Sequence, residues 1–176
     1  MAHPDARPIL GLHHFAWRCR DAEQTRIFYE DLLGLPLVHL IRQDRVPSTG
    51  EYCPYVHLFF RMHDGSCIAF FDLGDDTAAE PSPNTPAWVN HIALKVGSDE
   101  DLQAMIARLR GHGVEVIGPV DHDGYIHSLY CFDPNGLRVE LTTEVASAET
   151  VQGFAQRAHA ELAAWVQEKA VRRAGA

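Results

Sequence analysis

The chain has 176 residues, 46% hydrophobic and 22% charged, which suits a soluble globular protein of one domain or of two small halves sharing a core. Its formal net charge of -9 argues against a nucleic-acid surface and against an anionic membrane. No apolar run is long enough to span a bilayer, the N-terminus lacks a signal-peptide pattern, and the scattered Cys19, Cys53, Cys67 and Cys131 read as reduced thiols of a cytoplasmic protein.

In chain order, Leu12 to Cys19 predicts a strand rich in aromatic and aliphatic residues. Asp21 then has the position of a helix N-cap with Gln24 three residues on, and Phe28, Tyr29, Leu32 and Leu33 form an apolar stripe that Gly34 ends. Leu37 to Ile41 predicts a short strand, and Arg42 to Gly50 a polar loop. Tyr55 to Arg61 and Cys67 to Leu73 predict two strands joined through an Asp64-Gly65 turn. Residues 75–87, acidic and rich in proline, have no apolar periodicity and read as a linker. Val89 to Val96 opens a second half as a strand. Ser98 caps a helix whose stripe is Leu102, Met105, Ile106 and Leu109, stopped by Gly111 and Gly113. Strands follow at Val114 to Ile117, His127 to Phe132 and Leu137 to Thr143, the last after an Asp-Pro-Asn-Gly turn. Residues 148–170 predict a C-terminal helix outside this plan, with Lys169, Arg172 and Arg173 complementing its C-terminal end.

The two halves repeat each other. His14-Phe15-Ala16-Trp17-Arg18 matches His91-Ile92-Ala93-Leu94-Lys95, and Leu58 to Phe70 matches Leu129 to Leu141. In that alignment Gly65 meets Gly136, and Ala69 meets Glu140. Strand alternation puts His14, Ala16 and Arg18 on one face, and His91, Ala93 and Lys95 on the matching face. Glu140 takes the face opposite Val139 and Leu141. The aromatic and aliphatic faces must pack on the helices, so the histidines and Glu140 share the more polar side. Alone, each has an ordinary reading: a satisfied structural histidine, a carboxylate meeting water. Together, two histidines in one register of a duplicated unit, each with a small alanine two residues on, make up with Glu140 the residue set of an iron(II) facial triad. Such nitrogen and carboxylate ligands also suit Mn(II), Ni(II) or Zn(II).

From roughly Leu10 to Glu144 the pattern resembles the vicinal oxygen chelate superfamily, which includes glyoxalase I, bleomycin- and fosfomycin-resistance proteins and extradiol ring-cleavage dioxygenases. The resemblance implies an α+β fold of two βαβββ modules, about 10–74 and 88–144, forming a cupped mixed sheet around a metal, with the C-terminal helix added. It implies His14, His91 and Glu140 as metal ligands. Glyoxalase I-like and epimerase-like members usually carry Glu or Gln where Ala69 stands, and Asp72 points to the other face by strand parity. The segment from Val120 to Glu140 resembles the extradiol dioxygenase signature. It implies His122 as the acid-base histidine, with His127 as a second candidate, and Tyr130 as a tyrosine facing substrate; the residues alone would also allow Tyr130 to be a core aromatic. The function this resemblance implies is iron(II)-dependent cleavage of a catechol-like aromatic by dioxygen. The alternatives are a glyoxalase-like lyase, isomerase or epimerase, and a metal-free small-molecule-binding protein of the resistance type. The expected partners are the substrate, dioxygen and a second copy in a homodimer, with the metal held within one chain or shared between two. His57 and His63 read as structural or solvated.

Overall fold

A computed structural model of the chain describes residues 9–174; residues 1–8, read above for a targeting pattern, lie outside them. The first half contributes β1 (His14–Cys19), α1 (Ala22–Arg26), β2 (Leu37–Arg45), β3 (Tyr52–Arg61) and β4 (Cys67–Asp72). The second contributes β5 (Ile92–Lys95), α2 (Asp99–Gly111), β6 (Ile117–Asp121), β7 (Ile126–Phe132) and β8 (Arg138–Glu144), followed by α3 (Ala148–Ala174). These make two four-stranded mixed sheets, ordered β1-β4-β3-β2 and β5-β8-β7-β6. In each, the first strand lies parallel to the last, and the rest are antiparallel.

Local chemistry sets the helix ends. Asp21 accepts from the Gln24 N–H at 2.7 Å and Ser98 from the Asp101 N–H at 3.1 Å, so both helices start where side chains satisfy their free amides. Past Arg26, α1 continues as a π-helical stretch, Ile27–Leu32, in which Leu33 N–H reaches back to Phe28 O. This wider turn carries Phe28, Tyr29 and Leu32 into the core. Gly34, at φ 79°, lets Leu35 N–H close on Tyr29 O and ends the stretch.

The structure moves three predicted strands. The one expected from Val89 begins at Ile92, because Val89 N–H closes a turn onto Pro86 O, which leaves His91 just ahead of β5. β2 runs on to Arg45, through what reads as a polar loop, because its ladder with β3 continues to the Arg45–Tyr52 pair. This exposed outer strand carries polar side chains at no burial cost. The strand expected at Val114 to Ile117 instead begins at Ile117. Val114 N–H is taken by Leu109 O beyond the left-handed Gly113, a helix-ending bond, so Val114 and Val116 pack on the core as irregular chain.

One hydrophobic core serves both halves. It joins Phe28, Tyr29, Phe60, Ile68 and Phe70 of the first half with Leu94, Leu102, Leu109, Val139 and Leu141 of the second. Each sheet therefore turns inward the face opposite its histidine, and the two histidine faces look away from the shared core. Polar bonds reinforce the contact between halves. Tyr29 donates to Asp133 at 3.0 Å, Asn135 donates to Thr25 at 3.1 Å, and Arg20 N–H donates to Asn135 at 2.9 Å.

Candidate functional site

The ladders superpose the two halves residue by residue. Ala16 lies opposite Ala69 across β1 and β4, as Ala93 lies opposite Glu140 across β5 and β8. Phe59 pairs with Ala69 as Tyr130 pairs with Glu140, so His57 and Ser128 also hold equivalent places. The second sheet gathers its polar groups on one face. The Glu140 side chain is only 5% exposed, and its Oε2 lies 3.0 Å from His91 Nε2. Ser128 donates to Oε1 at 2.5 Å, and Val89 O meets His91 Nδ1 at 2.9 Å. The carbonyl makes Nδ1 the protonated nitrogen and turns the Nε2 lone pair toward the carboxylate.

Two lone pairs converging at 3.0 Å call for a cation between them or a proton on the imidazole. Two donors each about 2.1 Å from one ion, at a right angle, stand about 3.0 Å apart, so the pair fits a divalent metal of the imidazole-and-carboxylate class. Ser128 and Val89 supply the outer bonds that orient such ligands.

His122 and Tyr130 join this face. Asp123 and Gly124, both at positive φ, form a two-residue hairpin loop that sets His122 opposite Ile126, in step with Ser128 and Tyr130. The Tyr130 hydroxyl lies 2.8 Å from His122 Nε2. Burial, reinforced by the Glu140 charge, raises the tyrosine pKa above its ordinary value, so Tyr130 keeps its proton and donates to His122. The Arg138 guanidinium stands 4.2 Å from the ring centroid of Tyr130. His127 lies on the opposite face, where Asp99 holds its Nδ1 at 2.8 Å.

His14 lies on the first sheet, with neither His91 nor Glu140 beside it. Its ring nitrogen is 2.8 Å from that of His13, and its ring meets Phe59 and His57 edge-on at centroid distances of 5.4 and 5.9 Å. Among the described residues no group of three His, Cys, Asp or Glu side chains is placed to hold a metal. The face around His14 is strongly aromatic. His57 stacks on Phe71 at 3.7 Å, Phe59 lies 4.2 Å from His57, and Tyr55 lies 5.4 Å from Phe71.

His57, read from sequence as structural or solvated, is 7% exposed, and its Nε2 is buried without a partner. Burial first, then the neighbouring His14 and His39, lowers its pKa to about 4, so it is a neutral imidazole. Its repeat partner Ser128 is the signal that could have found it, because Ser128 bonds the carboxylate that Ala69 replaces in the first half.

The family model described as "Glyoxalase/Bleomycin resistance protein/Dioxygenase superfamily" matches residues 11–141. Biphenyl-2,3-diol 1,2-dioxygenase of Paraburkholderia xenovorans (strain LB400) is 27% identical over 132 residues, 74% of this chain. The chain spans 40% of that relative's length. Among solved structures, a point mutant of the fosfomycin resistance protein FosX from Listeria monocytogenes, complexed with Mn(II) and 1S,2S-dihydroxypropylphosphonic acid, matches with TM-score 0.58 and 21% identity. The match covers 82% of this chain and 99% of that one. Lactoylglutathione lyase from Agrobacterium tumefaciens matches with TM-score 0.55 and 19% identity, over 78% of this chain and 96% of that one.

Proposed function

The chain belongs to the glyoxalase/bleomycin resistance protein/dioxygenase superfamily, and within it we propose that it is a divalent-metal enzyme that opens the ring of a catechol-like aromatic with dioxygen. The observation that carries this reading is the Tyr130–His122 hydrogen bond at 2.8 Å, on the same face as the His91–Glu140 pair. A proton-transfer couple beside a ligand pair is what a dihydroxylated ring needs as it gains oxygen. The relative that is 27% identical over 132 residues supports it, since its name carries a dioxygenase activity on an aromatic diol.

His91 and Glu140 hold iron(II), with His14 as the third ligand. That the two histidine faces look away from the common core supports a shared site, in which His14 comes from a second copy of the chain. Bound there, iron(II) supplies Lewis acidity toward a substrate hydroxyl and a route for electrons from the diol to dioxygen.

The chain's own residues do the rest. Glu140, kept in place by Ser128, presents a carboxylate without moving. Tyr130 donates a hydrogen bond at the substrate oxygen, and His122 takes or returns the proton through it. The Phe59, Phe71 and Tyr55 rings form a stacking wall for a flat aromatic substrate, with the unpartnered His57 nitrogen among them. Ala69 leaves the equivalent of the Glu140 position without a carboxylate, which removes the base that an isomerase of this fold would draw on there.

The test is oxygen uptake by anaerobically purified protein loaded with iron(II), against a panel of catechols. Uptake with ring-opened product is expected, and Glu140→Ala should lose both the bound iron and the uptake. Turnover of a glutathione hemithioacetal without oxygen, and none of any catechol, would instead favour the lyase reading.

A further inference from the structure

The long C-terminal helix lies outside the stretch matched by the family model, and neither the core nor the metal face uses it. It has 27 residues, about 40 Å at 1.5 Å per residue, and none of them is buried. Among the described residues its one aromatic contact with the body is Phe154 against Tyr125. Beyond it, Leu162 is 59% exposed, Trp165 48% and Val166 57%. Exposed large apolar residues in a row on one helix mark a covered face rather than a solvated one.

The spacing of Leu162 and Trp165 with the smaller apolar residues ahead of them says what covers it. Ala148, Val151, Ala155, Ala158, Leu162 and Trp165 follow alternating steps of three and four residues, the seam of a coiled coil. We propose that α3 pairs antiparallel with α3 of a second copy, in the register that sets Ala155 against the partner's Ala158. That register is self-complementary about a two-fold axis. It sets Trp165 against the partner's Ala148 and Leu162 against the partner's Val151, large against small in each outer layer. The two central alanine layers let the backbones approach closely.

Charge selects the same arrangement. The next seam position after Trp165 is Lys169, which in the antiparallel register lies past the start of the partner's helix and meets no like charge on the seam. A parallel pair would instead stack Lys169 on Lys169, Arg172 on Arg172 and Trp165 on Trp165. The i,i+4 bonds Arg157–Glu161 and Glu168–Arg172, and Arg172 over the Trp165 ring at 4.9 Å, hold the helix in shape before it meets a partner. The pairing goes beyond the metal-site reading and does not rest on it.

Disulfide trapping in the full chain tests it, in a Cys53→Ser background that removes the half-buried native thiol. Val151→Cys with Leu162→Cys should give a covalent dimer on mild oxidation, because the two positions meet only across the seam. Within one helix they stand about 16 Å apart, far beyond disulfide reach. Ala158→Glu, harmless to a lone exposed helix, should abolish the cross-link. A double-cysteine variant that stays monomeric, a cross-link that survives Ala158→Glu, or cross-linking by Leu162→Cys alone would overturn the antiparallel seam. All of this is read without metal, so its failure leaves the proposed chemistry standing, and loss of oxygen chemistry leaves the seam standing.

Discussion

The Tyr130 hydroxyl donates to His122 across 2.8 Å, so in the proposed chemistry the two act as one unit. Removing either member should cost about as much as removing both. We expect Tyr130→Phe and His122→Gln each to lower kcat by about 100-fold while iron binding is retained, and the double variant to be little worse than either. Rates that multiply in the double variant would mean the two act separately. His57 makes a second residue-scale argument. Its pKa is lowered to about 4 by burial and by two neighbouring histidines, against an ordinary 6.5. Between those values the unfolded chain binds a proton that the folded chain refuses, so stability falls as pH drops through that window. The slope from this one group is at most about 1.4 kcal/mol per pH unit. His57→Leu should therefore flatten the loss of unfolding free energy from pH 6.5 to pH 4, measured by urea denaturation at each pH. An unchanged slope would show that His57 is protonated in the fold.

Among the elements, the turn between β7 and β8 joins the halves. Asn135 is buried, accepts from Arg20 N–H and donates to Thr25 and Asp133, while Asp133 takes the Tyr29 hydroxyl. Asn135→Ala should leave Arg20 N–H and Thr25 without these partners, at a cost on the order of 1–3 kcal/mol, seen as a lower Tm with the same fold. The Asp-Pro-Asn-Gly turn reads from sequence only as a hairpin signal, because its tertiary partners lie 104 and 110 residues away and leave no local trace. What sequence periodicity could reach were the locally determined parts. Both helix caps, both stripes and the alternation that puts His91 and Glu140 on one face follow from neighbours within a few residues. The end of β2 and the start of β6 did not, since pairing with β3 and capture of Val114 N–H by Leu109 decide them. That His122, and not His127, reaches the Tyr130 face also needed the structure. Both precede Glu140 at plausible spacings, and the hairpin that sets His122 opposite Ile126 and the Asp99 partner of His127 appear only in the fold.

At the scale of the whole molecule, the shared core turns both histidine faces outward, so in the proposed metal enzyme one copy would hold two half-sites: His14 on the first sheet, and His91 with Glu140 on the second. On that proposal a partner that lends His14 would complete the metal site and, by two-fold symmetry, would receive the same service in return. That arrangement has a consequence no single-chain site shares. In a mixed pair, one copy carries His14→Ala and the other Glu140→Ala. One of its two sites then combines both lesions and is dead. The other combines an intact His14 with an intact His91 and Glu140. Each variant alone should be inactive. Mixing them in equal amounts, with subunit exchange, should restore about a quarter of the native oxygen uptake, because half the pairs are mixed and each has one whole site. If the three ligands instead met within a single chain, every site in the mixture would keep one lesion, and no activity would return however long the subunits exchanged. The same mixture read by metal analysis gives an answer independent of substrate, with iron bound at about a quarter of the native sites after exchange and none before it.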